Sequence, residues 1–224
     1  MSTEVTTESG IHIIGGGTVN HIRSHFALTA IAYGGTAKKI HALLAEKGIP
    51  AQLHLTKMAC AGESNLETNQ DIAALTQRLM GDSKTTTIVF NAAVTDFEAQ
   101  IGSIPSGKYA ERLRSRDAAQ EAIVLKPSDK IVPTIKELRP DIFVVAFKTT
   151  TNATEESQLE RGRGLMVQSK ADLILANDTG TRRNMLLDRD GQILADTQDR
   201  KVVLVSMADA IGEADKRRRE LVLR

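Results

Sequence analysis

Short apolar runs without polar alternation punctuate this chain, and the stretches between them repeat their apolar residues every three or four positions. Ile11 to Ile14, Thr86 to Phe90, Asp141 to Phe147 and Asp172 to Ala176 read as strands buried on both faces of a parallel sheet. Ala51 to Leu55 is a shorter strand. Helical spacing follows Gly34-Gly35-Thr36 as far as Lys47, with Ile40, Leu43 and Leu44 inward and Gly48 as the stop. It recurs over Asn69 to Met80, where Ile72, Leu75 and Leu79 form the inward stripe and Gly81-Asp82 ends the helix. The opening order β-α-β-α-β calls for right-handed crossovers and an α/β fold with a mostly parallel sheet. Further on, the pattern predicts helices over 131–138 and 155–169 and a hairpin at Asp190-Gly191. It ends with a last strand at Lys201 to Val205 and a terminal helix from Ala208 to Leu223.

The stretch from Gln100 to Glu121 interrupts this rhythm. It carries Pro105-Ser106-Gly107-Lys108 and then Arg112, Arg114, Arg116 and Asp117 with little apolar periodicity. An irregular excursion of this length in a compact domain is a functional flap or an arm that packs on a partner; a solvated face is the alternative for its charges. Ala122 to Leu125 reads as the returning strand of an arm covering about residues 100–126, closed by Lys126-Pro127-Ser128-Asp129. Ser128 or Asp129 is placed to cap the helix over 131–138, in which Pro133 is tolerated because it falls in the first turn.

Composition narrows the function classes. Residues 1–10, MSTEVTTESG, read as a flexible leader without an apolar core, and 11–224 as one domain. With 29 basic and 28 acidic residues, neither a nucleic-acid nor a membrane partner has electrostatic support. Scarce aromatics (five Phe, two Tyr, no Trp) argue against base-stacking recognition of single strands. The single cysteine, Cys60, excludes an internal disulfide, and a structural zinc site is not expected. A reducing, cytoplasmic setting fits best.

The candidate chemistry lies at strand ends. After Thr86 to Phe90 the chain turns small at Asn91-Ala92-Ala93 and reaches Asp96, where the carboxyl end of a central strand opens into a crevice; an ordinary turn capped by Asp96 is the alternative. Phe147 and Asn177-Asp178 end two further strands on the same edge. Gly15-Gly16-Gly17 follows the first strand and reads as a tight turn exposing N–H groups to phosphate, or as a plain βα turn; its spacing is not that of a dinucleotide fingerprint. His21, Arg23 and His25 suit an anionic ligand or a solvated surface. Gly34 and Gly35 at a helix start are a second phosphate candidate.

AAVTDF at Ala92 to Phe97, PSGK at Pro105 to Lys108, VVAF at Val144 to Phe147 and KADLILAND at Lys170 to Asp178 resemble, in that order, the phosphopantothenoylcysteine synthetase domain. This is the C-terminal ligase half of the bacterial coenzyme A flavoproteins. The resemblance implies a Rossmann-like sheet with helices on both faces, a projecting β-arm that pairs in a homodimer, and no flavin. It implies CTP or ATP as co-substrate with Mg2+, and small-molecule acid and amine substrates: a carboxylate attacks the α-phosphate, pyrophosphate leaves, and an amine then displaces the nucleotide to give an amide. By resemblance Ala92 and Ala93 admit the nucleotide, Asp96 contacts it, and Lys108 is the flap lysine of the activation step. Lys126 to Ile131, with Ser128 and Asp129, matches a nucleotide-binding turn. Phe147 packs beside the base, with a core phenylalanine as the competing reading. Asn177 and Asp178 close the site, and Arg23 meets the acyl substrate. Two departures stand out. HFALTAIAYGG replaces the family's Ser-Asn-x-x-Ser-Gly-Lys, whose asparagine serves amide formation, and Glu160-Arg161-Gly162-Arg163-Gly164 replaces its lysine-bearing helix, leaving Arg161, Arg163 and Lys170 as shifted substitutes. A nucleotide-binding relative without the amide-forming step is therefore the alternative function.

Overall fold

Residues 9–116 and 121–222 are described by a computed structural model. Residues 1–8 of the expected leader, Asp117 of the arm's charge run and Leu223 at the end of the expected terminal helix lie outside the described residues. The elements in chain order are β1 (Ile11–Gly17), β2 (Val19–Arg23), β3 (Phe26–Thr29), α1 (Gly35–Glu46), β4 (Gln52–Leu55), α2 (Asn69–Gly81), β5 (Thr87–Ala93) and β6 (Phe97–Ile101). They continue with β7 (Ile123–Pro127), α3 (Ile131–Leu138), β8 (Phe143–Thr150), α4 (Glu155–Ser169), β9 (Leu173–Asp178), β10 (Asn184–Asp188), β11 (Ile193–Thr197) and α5 (Arg200–Val222).

One seven-stranded sheet runs β11-β10-β9-β8-β5-β1-β4. Its five strands from β9 to β4 are parallel, and β10 and β11 extend it antiparallel. Side chains of β5 alternate between faces: Ile88 and Phe90 enter the core under α2, α3 and α4, and Val89 the core under α1 and α5. Full burial of a residue such as Ile88 contributes about 1.5–3 kcal/mol, so the unbroken apolar runs of the central strands are what hold both helix layers on. The short β2–β3 and β6–β7 pairs form two further ribbons. They share a small core in which Ile22, Ala99 and Ile101 meet Leu28 and Leu113.

Four local expectations are corrected. Gly15, Gly16 and Gly17 are not a turn but the last residues of buried β1, each paired with β5 at Asn91, Ala92 and Ala93. They are glycines because neighbours crowd in. A Cβ on Gly15 would lie 2.3 Å from the Ala37 Cβ, one on Gly16 2.1 Å from Thr56 Oγ1, and one on Gly17 1.8 Å from the Ala30 carbonyl. Second, residues 201–205 belong to α5. The run Lys201-Val202-Val203-Leu204-Val205 looks β-branched, but Asp199 Oδ1 accepts the N–H groups of Lys201 and Val202, and the buried set Val203, Leu204, Met207, Ala208, Ile211 has helical spacing. Third, α3 is capped by neither Ser128 nor Asp129; Lys130 is its N-cap, with no side-chain hydrogen bond. Fourth, β8 does not stop at Phe147 but continues to Thr150 along β9. The β2–β3 hairpin and β6 have no counterpart among the expected elements. β6 extends the expected arm back to Phe97.

Candidate functional site

Strand polarity brings the carboxyl ends of β1, β4, β5, β8 and β9 to one rim of the sheet. From β1 the chain crosses through α1 to β4, then through α2 to β5 on the other side of β1, so the order reverses between β1 and β5. Such a switch point is where open α/β sheets take ligands. Beyond Phe90, paired with Ala146, β5 leaves β8 while staying on β1 through Ala93. Asn91, Ala92 and Ala93 are therefore paired on the β1 side and not with β8, and all three are half-buried.

Past these residues the loop is clamped. Thr18 Oγ1 donates to Asn69 Oδ1 at 2.6 Å, Asn69 Nδ2 donates to the Thr95 carbonyl at 2.8 Å, and the Thr95 N–H reaches Thr18 Oγ1 at 3.0 Å. Asn69 opens α2, whose Thr68–Asp71 capping box fixes its first turn. Against this clamp lies a cavity of about 610 Å³ between β2, the start of α2 and the arm, lined among others by His21, Thr68, Asn69, Thr95, Lys108 and Lys126.

Lys108 rides on a segment pinned to the arm's base. Ser106 Oγ donates to the Ala99 carbonyl at 2.6 Å, and the Gly107 N–H to the Ile22 carbonyl at 3.4 Å. Its ammonium is ion-paired with Glu67, which also has Lys57 Nζ at 3.8 Å and His21 Nε2 at 3.5 Å. The Lys108 hydrogen bond is the main reason the Glu67 carboxyl lies below its ordinary range, and it holds the Lys108 ammonium above its own. Glu67, Asn69 and Thr18 escaped the sequence reading; the Thr68-x-x-Asp71 box before an apolar stripe was the one signal that marked this helix start.

The other expected site residues divide around β5. Asp96 does not line the cavity; its exposed carboxylate pairs with Lys130 Nζ at 2.6 Å, and its carbonyl accepts the Ser128 N–H at 2.9 Å. Ser128 Oγ is buried with no hydrogen-bond partner, and Asp129 is exposed. Phe147 packs half-buried against the α1–α5 core. Asn177 Oδ1 accepts from Thr149 Oγ1 at 3.3 Å. Asp178 is buried and saturated. It accepts the N–H groups of Ala153, Thr181, Asn152 and Gly180 and the hydroxyls of Thr150 and Thr181, and these bonds hold its carboxyl far below the usual range. That is a turn-organising carboxylate. Arg23 is 2% exposed and donates to the carbonyls of Ile22 and Ile101, at 2.7 and 2.5 Å, which ties the β2–β3 ribbon to the arm. Gly34, at φ 69°, is the N-cap of α1, which has no side-chain cap and no acidic residue in its first turn, and no atom stands within 4 Å of a Cβ built on Gly35. Among the described residues no group of three or more His, Cys, Asp or Glu side chains is placed to hold a metal, and no helix is long and apolar enough to cross a membrane.

Sheet order, the switch point between β1 and β5 and the lysine-bearing arm define a doubly wound α/β domain with its ligand rim at the strand carboxyl ends. The family model described as the DNA/pantothenate metabolism flavoprotein C-terminal domain matches residues 29–211, most of the chain, and the protein belongs to that family. It is the family that the four motifs resemble. The coenzyme A biosynthesis bifunctional protein CoaBC of Thermococcus kodakarensis is 27% identical over 112 residues, which make up half of this chain and 26% of that protein. The match thus spans about a quarter of that relative's length. The DNA/pantothenate metabolism flavoprotein of Streptococcus pneumoniae shares the fold with a TM-score of 0.77 at 22% identity, over 91% of this chain and 98% of that one. A Cab2 variant in complex with phosphopantothenate-cysteine shares it with a TM-score of 0.64 at 13% identity, over 92% of this chain and 86% of that one.

Proposed function

We propose that this chain is a nucleotide-dependent acid–amine ligase of the phosphopantothenate–cysteine ligase type, acting in coenzyme A biosynthesis. The observation that carries the reading is the pair of arm lysines, Lys108 and Lys126, on one polar cavity that Thr95, just past the end of β5, also lines. In the first step a substrate carboxylate oxygen attacks the α-phosphorus of CTP or ATP and the bond to the bridging oxygen of pyrophosphate breaks. Negative charge builds on the departing phosphates, and fixed ammonium groups lower that barrier. In the second step an amine attacks the acyl carbon, loses a proton, and expels the nucleoside monophosphate. Lys108 rests on Glu67 and is handed to the phosphates when they arrive; exchange of one anionic partner for another avoids leaving a bare charge.

Mg2+ fits as an ion carried in by the triphosphate, because a magnesium site of this kind needs only one or two protein carboxylates. Glu98, the carboxylate that lines the cavity, would hold it. The arm supports a homodimer: Ile123, Val124 and Leu125 of β7 are 42%, 65% and 50% exposed, an apolar edge a second copy would cover. The reading is tested by pyrophosphate release from CTP and from ATP with 4′-phosphopantothenate, in the parent and in Lys108→Ala. Release in the parent and its loss in the variant support the proposal; equal rates in both overturn it. A second reading, nucleotide binding without amide formation, is favoured by the 25–35 segment, where the family asparagine is absent. Pyrophosphate release without amide product would select it.

A further inference from the structure

Among the described residues His21 is the one imidazole on the cavity of Lys108 and Lys126, and the chemistry above leaves it unused. It lies in β2, whose next residue, Ile22, turns into the small core under the arm, so the ring of His21 goes to the opposite, cavity side. Its Nε2 is buried and has no hydrogen-bond partner. That nitrogen stops 3.5 Å from Glu67 Oε1, a separation that becomes an ion pair once the imidazole is protonated. The other ring nitrogen, Nδ1, has no hydrogen bond among the described residues and is not one of the buried unpartnered atoms, which leaves it open on the cavity.

Glu67 is fixed where it can orient that ring. Its N–H donates to Asp71 Oδ2 at 3.0 Å and its carbonyl accepts the Val19 N–H at 2.9 Å. The backbone is thereby pinned both to the capping box of α2 and to the strand that carries His21. In the resting chain its carboxylate is taken by Lys108, with Lys57 Nζ at 3.8 Å. While Lys108 holds the phosphate of an acyl-nucleotide, that carboxylate lacks its nearest cation, and the imidazole replaces it by gaining a proton. A buried ring nitrogen without a partner is costly unless some state of the site pairs it. This exchange supplies the state.

We propose that His21, oriented by Glu67, is the general base of the amide-forming step. This rests on the ligase reading above. Nδ1 takes the proton that the amine nitrogen sheds as its lone pair bonds to the acyl carbon. The bond from that carbon to the phosphate oxygen then breaks, and its electron pair leaves with the nucleoside monophosphate. Nε2–H meanwhile donates to Glu67, which fixes the tautomer and offsets the imidazolium charge. The charged groups at this corner are Glu67 and Lys57 from the segments before α2 and after β4, and Lys108 from the arm; Lys126 and Glu98 line the same cavity from β7 and β6. Movement of Lys108 thus couples the two half-reactions, since phosphate binding frees the carboxylate that the later proton transfer uses.

The test follows first-turnover pyrophosphate release and amide formation separately, in the full chain with 4′-phosphopantothenate, cysteine and CTP or ATP, for the parent, His21→Gln, Glu67→Gln and Glu67→Asp. In His21→Gln amide formation falls about a hundredfold further than pyrophosphate release does, and the deficit narrows as the pH is raised to about 9, where the amine sheds its proton without the ring. Glu67→Asp keeps more amide formation than Glu67→Gln. Equal losses in both half-reactions, or a deficit that does not change with pH, mark a structural histidine and overturn the proposal. If His21→Gln does not fold, His21→Asn is read by the same outcomes. A parent that releases no pyrophosphate sinks the ligase reading together with this proposal. A parent that makes amide while the His21 variants make it equally fast sinks this proposal alone, and pyrophosphate without amide in the parent overturns it in favour of the second reading.

Discussion

The two edges of the same parallel sheet are built on opposite principles. At the amino edge lies the larger cavity, about 850 Å³, bordered by Lys136, Asp141, Asp172, Asp188 and the α5 arginines Arg217 and Arg218. Its charges are largely spent: Lys136 Nζ sits 2.6 Å from Asp172, both nearly buried, and Asp141 takes Arg139 and Arg218. At the carboxyl rim the cavity is smaller, about 610 Å³, but its lysines come from a projecting arm and its walls are amides and hydroxyls clamped by Asn69. Size does not locate a binding site here. The carboxyl rim holds the switch-point crevice, and its Lys108–Glu67 pair stands on an exposed arm where partners can exchange, whereas the Lys136–Asp172 pair is nearly buried.

Asp172→Ala gives the largest effect and breaks the amino edge alone. It strands the Lys136 ammonium, 9% exposed, and removes the 2.9 Å bond to the Val144 N–H, costing about 3–5 kcal/mol in urea or thermal unfolding. Activity per folded molecule stays unchanged. Lys108→Ala is the converse: a loss of about a hundredfold in pyrophosphate release, with an unfolding midpoint equal to the parent's because the ammonium stands on an exposed arm. Gly17→Ala sharpens the correction to the glycine run. Its Cβ would strike the Ala30 carbonyl, and a destabilisation of about 1–3 kcal/mol in chemical denaturation distinguishes a packing glycine from a phosphate loop.

The pH response belongs to neither edge's ligand chemistry. His12 Nδ1 and His54 Nε2 are 3.1 Å apart between β1 and β4; burial, with His12 and Arg78 adding, pushes His54 down from 6.5 to about 4, and burial lowers His12 as well. Both are therefore neutral in the folded chain and protonate more readily when unfolded. The His54 contribution is fully present above pH 6.5 and is lost as pH falls through about 4, and that of His12 runs in the same direction. Thermal unfolding should fall across that window in the parent and flatten in His54→Gln. The smallest effect is expected at Arg218→Ala, whose bonds to Asp141 are exposed: within about 0.5 kcal/mol in unfolding, and no change in pyrophosphate release.

The legible parts of this protein were those with a local cause. α3 and α4 were bounded correctly, and α1 and α2 to within a residue at each end, because caps, glycine stops and apolar stripes lie inside the helices themselves. The strand at 201–205 was misread because Val202, Val203 and Val205 carry a strong local preference that Asp199 and the packing of α5 override. The arm was seen as an irregularity, yet β6 and the β2–β3 ribbon were missed. Their apolar residues are few, and the small core they share forms between segments distant in sequence. Among the candidate site residues, Lys108 and Lys126 line one cavity. Asp178 and Arg23 turn out to serve the backbone, since a charged side chain gives no sign in sequence of whether carbonyls and N–H groups will surround it.

What the sequence alone determined is the alternation of buried strands and amphipathic helices, hence the parallel sheet and the rim on which any ligand must fall. Residue type and period set those directly. Only the tertiary structure decided that three glycines pack against Ala37, Thr56 and Ala30, that Glu67 holds Lys108, and that Arg200 is brought to Thr36 and Asn184. Each of those depends on which distant backbone arrives beside a side chain, and no local pattern encodes the arrival.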